Sequence, residues 1–567
     1  MSEQAVAPGD PVVSRRTLAR LLTTTAATTA LTGGLLAGLP DEASATAERR
    51  RKKRRKRRRH HHRPPATTPP PGPTSGPPAG PSDPTAGPIG PVALEDAAAL
   101  HVLERFTGGW TPALGAEVAA AGGIDAWFSA QLDPAGIPDT FYNASSSWWY
   151  SINATTADLW ARDRAGTEGM WVANANYERW SMLRRMYGER QLLETMANFW
   201  EHHLHVPGDA DGVALFRSDY GKMVRRRALG RFADLLQEAI THPAMGVYLS
   251  NAVSTKKAPN ENLGRELLEL HTVGRAAGYT ETDVKNSARI LTGYRVDEWS
   301  TWNVHYDTAS HWTGQVDVLG FSDPNTSADG QAVTAAYLAY LARHPSTAHN
   351  IAHKLAVRFV SDDPSAALVD QLAAVYLAND TAIVPVLRAL VASSEFRSSA
   401  GGKVRTPDED VVATYRALGV EVQAPTTGGS AANAILWQAE GVGLRPFAWP
   451  RPDGRPDDGV SWSAVSRMLS SFDVHYTMSG GWWPTVDASY HTPLQWLPAA
   501  SVRFDDLVDH LSATMLGRPA TAVLQSAAAL AVGCSAGDVI TADHAVVRWK
   551  MPRLLTVLLD SPTHFTR

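Results

Sequence analysis

Residues 191–206 read QLLETMANFWEHHLHV, and residues 260–272 read NENLGRELLELHT; together they set the fold class. In the first stretch Leu192, Met196, Phe199 and His203 recur at steps of four, three and four. That spacing lines one face of an α-helix and puts His203 on its apolar side. In the second stretch Leu263, Leu267 and Leu270 make the apolar side. Asn262, Glu266 and Glu269 form a polar stripe, and Arg265 stands at i±4 from Glu261 and Glu269, where it is expected to pair with both.

The same period extends outward in both directions. It predicts helices over Leu94–Phe106, Asp125–Leu132, Arg190–His205, Arg225–Ile240, Glu261–Leu270, Thr280–Leu291 and Val333–Arg343, then over Thr347–Val360, Ser365–Leu377, Ile383–Ser393 and Phe504–Met515. Turn residues separate them, as in Thr107–Pro112 and Leu132–Pro134. No alternating pattern is long enough for a large sheet, and Trp302–Phe321 has room for a short hairpin at most. The fold class is therefore mainly α: a single large multi-helical domain over residues 93–567, without an internal repeat. A soft boundary falls near Ala400–Pro407.

The N-terminal part has a different character. Ser14–Arg20 reads SRRTLAR, a twin-arginine export signal, followed by a weakly apolar stretch and a small-x-small site at Ala43–Ala45. Residues 1–45 are expected to be removed on export, which leaves no membrane span and an extracellular or cell-wall location. Arg49–Arg63 holds twelve Lys or Arg and no acid, too much like charge to fold, so residues 46–63 are expected to be disordered. Behind an export signal its expected partner is an anionic envelope polymer or lipid, with no specific nucleic acid. Pro64–Val92, with twelve prolines and five glycines, is a tether. The rest of the chain is acidic. Its one cysteine, Cys534, excludes an internal disulfide and is expected to be a buried, inert thiol.

Two roles fit the 260–272 helix: a structural ion-pair network, or a site built from Asn260, Asn262, Arg265, Glu266 and Glu269. A buried His203 needs hydrogen-bond partners for its ring, whether or not it is a ligand. His349 and His353, at i and i+4, have ligand spacing but no third partner nearby in the sequence. There is no GxSxG, GxxxxGK[ST], CxxC pair or GxGxxG, which argues against serine-hydrolase, nucleotide, thiol-redox and dinucleotide chemistry. Eighteen tryptophans is a high number, and six of them (Trp437, Trp449, Trp462, Trp482, Trp483 and Trp496) gather late in the chain. Core packing is their expected role, with sugar stacking as the alternative.

Residues 242–274 and 278–294 together resemble the core signature of the domain-of-unknown-function 1800 family. The resemblance extends to FWEHHLHV (199–206), HYDTASHWTGQVDVLGF (305–321), HPSTAHNIAHKLAVRFVSDDP (344–364), KVRTPDEDVVATYRALG (403–419) and LLDSPTHFTR (558–567). It implies one family domain across residues 95–567 and carries no settled activity. Its recurrent polar positions map to His203, Asn260, Glu261, Asn262, Arg265, Glu266, Glu269, His271 and His311. It departs at Ser250 and Trp312, where the family commonly has aspartate, and Phe447–Trp462 keeps part of a proline-glycine-tryptophan motif. The family's frequent company implies an exported sulfatase-like protein as a partner.

Two functions follow as expectations. One is an exported envelope protein whose helical domain is tethered to an anionic surface. The other is an exported enzyme, hydrolase or oxidoreductase, in which His203, His271, His311 and Glu266 hold a divalent transition metal.

Overall fold

Side-chain caps and proline starts cut the helical pattern into its elements, in a computed structural model that describes residues 89, 90, 92 and 96–567. The expected export signal, the basic segment and most of the tether lie outside the described residues. The first helix, α1 (Ala97–Phe106), starts at Asp96, whose carboxylate accepts the Ala99 amide at 2.7 Å. After it come α2 (Met170–Tyr187), α3 (Gln191–His203), α4 (Arg217–Arg227) and α5 (Phe232–Thr241).

One expected helix is two. The pattern over Arg225–Ile240 is interrupted between α4 and α5, where Arg231 is extended (φ −86°, ψ 135°) and pairs with Ala382. The Phe232 amide donates to the Thr381 carbonyl at 2.9 Å, a tertiary bond that periodicity does not encode. A second correction concerns Glu261–Leu270. Here α6 (Glu261–Glu266) widens into a π-turn, Leu267–His271. Such turns shift the facing of every later residue and are frequent at functional sites. The next helix, α7 (Glu281–Ile290), opens on a capping box of Thr280 and Asp283.

Gly264 lets α6 and α7 touch. A β-carbon there would lie 2.8 Å from the Ala288 nitrogen and 3.1 Å from the Val284 oxygen, both backbone atoms that cannot swing away. Gly264→Ala is expected to cost about 1–3 kcal/mol of stability by forcing the helices apart. Urea unfolding measures it, and an unchanged midpoint would show the crossing to be soft.

The chain continues through α8 (Gln331–Ala342), α9 (Pro345–Phe359), α10 (Pro407–Ala417), α11 (Ala431–Val442), α12 (Val465–Ser479), α13 (Phe504–Leu516), α14 (Met551–Leu559) and α15 (Pro562–Phe565). The fold is mainly α, as expected, with the strands of the described residues confined to four two-stranded antiparallel ladders. The region expected to hold at most one hairpin takes part in two: β1 (Tyr294–Val296) with β2 (Val304–Tyr306), and β3 (Val316–Val318) with β4 (Phe321–Asp323).

Among the described residues two large apolar cores form beside a small cluster of Ile152, Tyr177, Trp180 and Phe447. One gathers Leu100, Phe106, Met196, Phe199, Leu263 and Phe359, and the other Val412, Ile435, Leu507 and Leu555. The soft boundary near residue 400 follows Phe396, the last residue of the first core, but does not divide the two cores. Helix α2 serves the second core through Met182, Leu183 and Met186, while α3 serves the first. Among the described residues no helix is long and apolar enough to cross a membrane.

Candidate functional site

The π-turn determines where the polar residues of the 260–272 segment go. Asn260 caps α6, its side chain accepting the Asn262 amide at 3.0 Å, and Asn262 itself is exposed. Arg265 binds Glu281 at 2.6 and 2.8 Å and stands 3.7 Å from Glu261. Its expected pairing with Glu269 is absent, because Glu269 is held instead by Arg275 and by the Tyr279 hydroxyl at 3.0 Å. Glu266 is left over. It is half-buried and has no hydrogen bond or ion pair to any described residue. Burial, and then the neighbouring Glu269 charge, push its pKa upward.

Three groups from other elements are linked to Glu266 by charge, Asp453 and Tyr248 directly and Lys354 through Asp453. Asp453, on the loop before Arg455, accepts the Trp449 indole N–H at 2.9 Å. Its charge acts on Glu266, on Tyr248, on Lys354 and on His205. Tyr248 is half-buried, and burial with Glu266 beside it pushes its pKa up to about 12. Lys354, on α9, has no hydrogen bond and no carboxylate within ion-pair distance among the described residues. Burial pushes its ammonium down to about 8, against the pull of Asp457 and Asp453. A carboxyl shifted up and an amine shifted down around one aspartate is the electrostatic pattern of an acid–base site.

Beneath them, α3 and the π-turn clasp each other. His203 Nε2 donates to the His271 carbonyl at 3.1 Å, and His271 Nδ1 donates to the His203 carbonyl at 3.0 Å. Each backbone acceptor fixes a tautomer, so His203 Nδ1 and His271 Nε2 are left as buried lone pairs without a partner. Burial, reinforced by Lys354, lowers both pKa values and keeps the rings neutral. The 447–455 loop is pinned over the end of α3. The Gly208 amide bonds the Phe447 carbonyl at 3.0 Å, and His205 Nε2 donates to the Trp449 carbonyl at 2.8 Å. Gly454, at φ +72°, lies so near the His202 carbonyl that a β-carbon would come within 2.1 Å of it.

Other expected site residues lie elsewhere. His311 is buried, with Nδ1 bonded to the Thr292 carbonyl at 2.9 Å and Nε2 to Asn325 Oδ1 at 3.0 Å, so both ring nitrogens are engaged. His349 and His353 are exposed, and His349 stands 3.7 Å from Asp370. Ser250 has φ 61°, a left-handed position that aspartate tolerates better than most residues. Backbone geometry therefore accounts for an aspartate there without a metal. Trp462 and Trp496 are core residues, whereas Trp437 is 48% exposed and stacks on Trp483. Cys534 is half-buried, its pKa raised by burial and Asp538, which leaves it unactivated.

Periodicity missed an ionic layer at the start of α10. Successive helical residues point roughly 100° apart, yet Asp408, Glu409 and Asp410 are all buried. Each must therefore meet its own partners. Asp408 takes Arg185 at 2.8 Å and the Thr406 hydroxyl at 2.7 Å. Glu409 takes Arg358 at 2.5 Å, the Thr406 amide at 3.0 Å and Arg567 at 3.6 Å. Asp410 takes Ser471 at 2.6 Å, Arg467 at 3.1 Å, and the rings of His475 and His564. Arg455 reaches both Asp408 and Glu409 and also donates to His202 at 2.9 Å. Burial by itself would raise these three carboxyl pKa values, and the facing cations outweigh it and hold them low. The cavity inside the layer, between Thr195, Asn198, Arg358 and Glu409, has about 20 Å³ open to a water centre. That is room for about one water, too little for a substrate. The readable signal was TPDED itself, three consecutive acids in a first helical turn.

A family model described as a protein of unknown function (DUF1800) matches residues 101–566. No curated protein and no solved structure matches the chain.

Proposed function

We propose the following of a chain that belongs to the DUF1800 family: it is an exported envelope protein whose helical domain carries an acid–base site centred on Glu266. The observation that carries this reading is the half-buried Glu266 carboxyl, with a raised pKa and no hydrogen bond or ion pair among the described residues, and Lys354, with a lowered pKa, both acted on by Asp453. A carboxyl with a raised pKa holds its proton to higher pH than an ordinary glutamate and is better placed to give it to a leaving group. Lys354, with a pKa near 8, is mostly charged at pH 7 and holds an anionic group of the substrate. The basic segment Arg49–Arg63 points the same way, since it would hold the domain against an anionic polymer. The reaction class is hydrolysis or elimination on such a polymer. A second reading rests on His203 Nδ1 and His271 Nε2, buried ring nitrogens without a hydrogen bond among the described residues and of the kind a divalent transition metal takes.

The test is release of soluble fragments from purified anionic wall polymer by the full chain. Glu266→Gln is expected to lower the rate about 10²–10⁴-fold. It should leave thermal stability unchanged or raised. The sign follows from linkage. A carboxyl whose folded pKa lies above its unfolded value favours folding at low pH and weighs against it once ionised, so removing the charge removes a cost. Equal rates in the two proteins would move the chemistry away from Glu266, and no release by the wild type would refute this substrate class.

A further inference from the structure

Helices α10, α12 and α15 bring together Asp410, His475 and His564, which are 1%, 1% and 3% exposed and which the Glu266 site does not use. Asp410 Oδ1 lies 3.2 Å from His475 Nε2 and 3.5 Å from His564 Nε2. One donor atom of each residue lies within 4.8 Å of the others, and among the described residues no other group of three or more His, Cys, Asp or Glu converges in this way. The surroundings orient the donors. Ser471 and Arg467 occupy the second oxygen of Asp410, at 2.6 and 3.1 Å. His475 Nδ1 faces Asp560 Oδ1 at 2.8 Å.

That last contact is the one a metal-bound histidine makes: the far nitrogen gives its proton to a carboxylate, and Nε2 is left as a lone pair. A lone pair facing a carboxylate oxygen at 3.2 Å repels it unless a cation stands between them. Donors bound to one tetrahedral zinc at about 2.0–2.1 Å lie roughly 3.3–3.4 Å apart. The two separations here, 3.2 and 3.5 Å, bracket that value. We propose that Asp410, His475 and His564 bind one divalent ion of the zinc class, with Asp560 orienting His475, and Arg467 and Ser471 orienting Asp410. Two imidazoles and one carboxylate suit zinc or a neighbouring transition ion and not magnesium or calcium. The ion ties the start of α10 to α12 and to the 562–565 turn, and three protein ligands leave a fourth position for solvent.

The competing arrangement has a proton on His475 Nε2 and no ion. The full chain decides between them, with His60, His61 and His62 changed to alanine so that the tract does not compete. After chelation, zinc is titrated against a competing indicator. One equivalent of tight binding is expected, weakened at least 100-fold in His475→Ala and in His564→Ala, and unchanged in His349→Ala. Cobalt(II) added to the chelated wild-type chain should give the visible absorption of a four-coordinate nitrogen and oxygen site. That spectrum decides the matter even if the variants fail to fold. Folded wild-type chain that binds no zinc and gives no such spectrum overturns the proposal. So does binding that is lost in His203→Ala and kept in His475→Ala.

Discussion

Glu409→Ala is expected to lower stability by about 3–5 kcal/mol, the usual result of removing one partner from a buried ion cluster. Glu409 is buried among Arg358, Arg455 and Arg567, and it also accepts the Thr406 amide that opens α10. Without the carboxylate, three guanidiniums of which 2–4% of each side chain is exposed would face one another. None can shed its proton near neutral pH. The loss therefore exceeds the net worth of the pairs and reflects the charges left behind. Urea unfolding of the single variant and of Glu409→Leu with Arg358→Met separates these terms. The double variant should lose less than the sum of its parts, because it removes charges of both signs. A Glu409→Ala loss below about 1 kcal/mol would mean that water reaches the layer and screens it.

Acidification from pH 8 to pH 5 should cost a few kcal/mol. Three buried histidines carry most of the effect. Burial pushes His101 and His205 down to about 4 and His271 to about 3. A histidine whose folded pKa is depressed binds its proton more readily when unfolded, so its contribution falls as pH drops below the unfolded value. At pH 5 each costs about 2 kcal/mol, roughly 6 together. His202 and His203, also lowered by burial, add to this. Carboxyls held up by burial oppose it: Glu178, up to about 7, and Glu104, Glu117 and Glu266. They bind protons more readily in the folded state, and Glu178 offsets about 2.5 kcal/mol over the same interval. The balance is a loss of a few kcal/mol, a sizeable part of the stability of an ordinary domain. A urea midpoint that stays level from pH 8 to pH 5 would refute the neutral-histidine interior.

Much of the site was half legible in the sequence. His203 could be placed on an apolar face from its spacing to Phe199 and Met196, and it is buried there. Glu266 could be picked as one of several polar residues, but not separated from Glu269 or Arg265. The structure separates them. Arg265 and Glu269 find partners in Glu281, Arg275 and Tyr279, which lie beyond the helix, and Glu266 finds none. Lys354, Tyr248 and Asp453 carried no local signal, because an unpaired charge is defined by what surrounds it in space.

The sequence alone determined the elements that depend on near neighbours. Three-and-four spacing, capping residues and proline starts act within a turn or two, so the helical class could be read directly, and α3, α7 and α9 were placed within a few residues of their ends. Tertiary structure decided the rest. The break between α4 and α5 rests on a bond to Thr381, some 150 residues away along the chain. The ionic layer joins Asp408, Glu409 and Asp410 to arginines and histidines between residues 185 and 567. Burial, which sets every shifted pKa here, is a property of the folded interior, and a linear pattern of residue types does not specify which charges meet inside it.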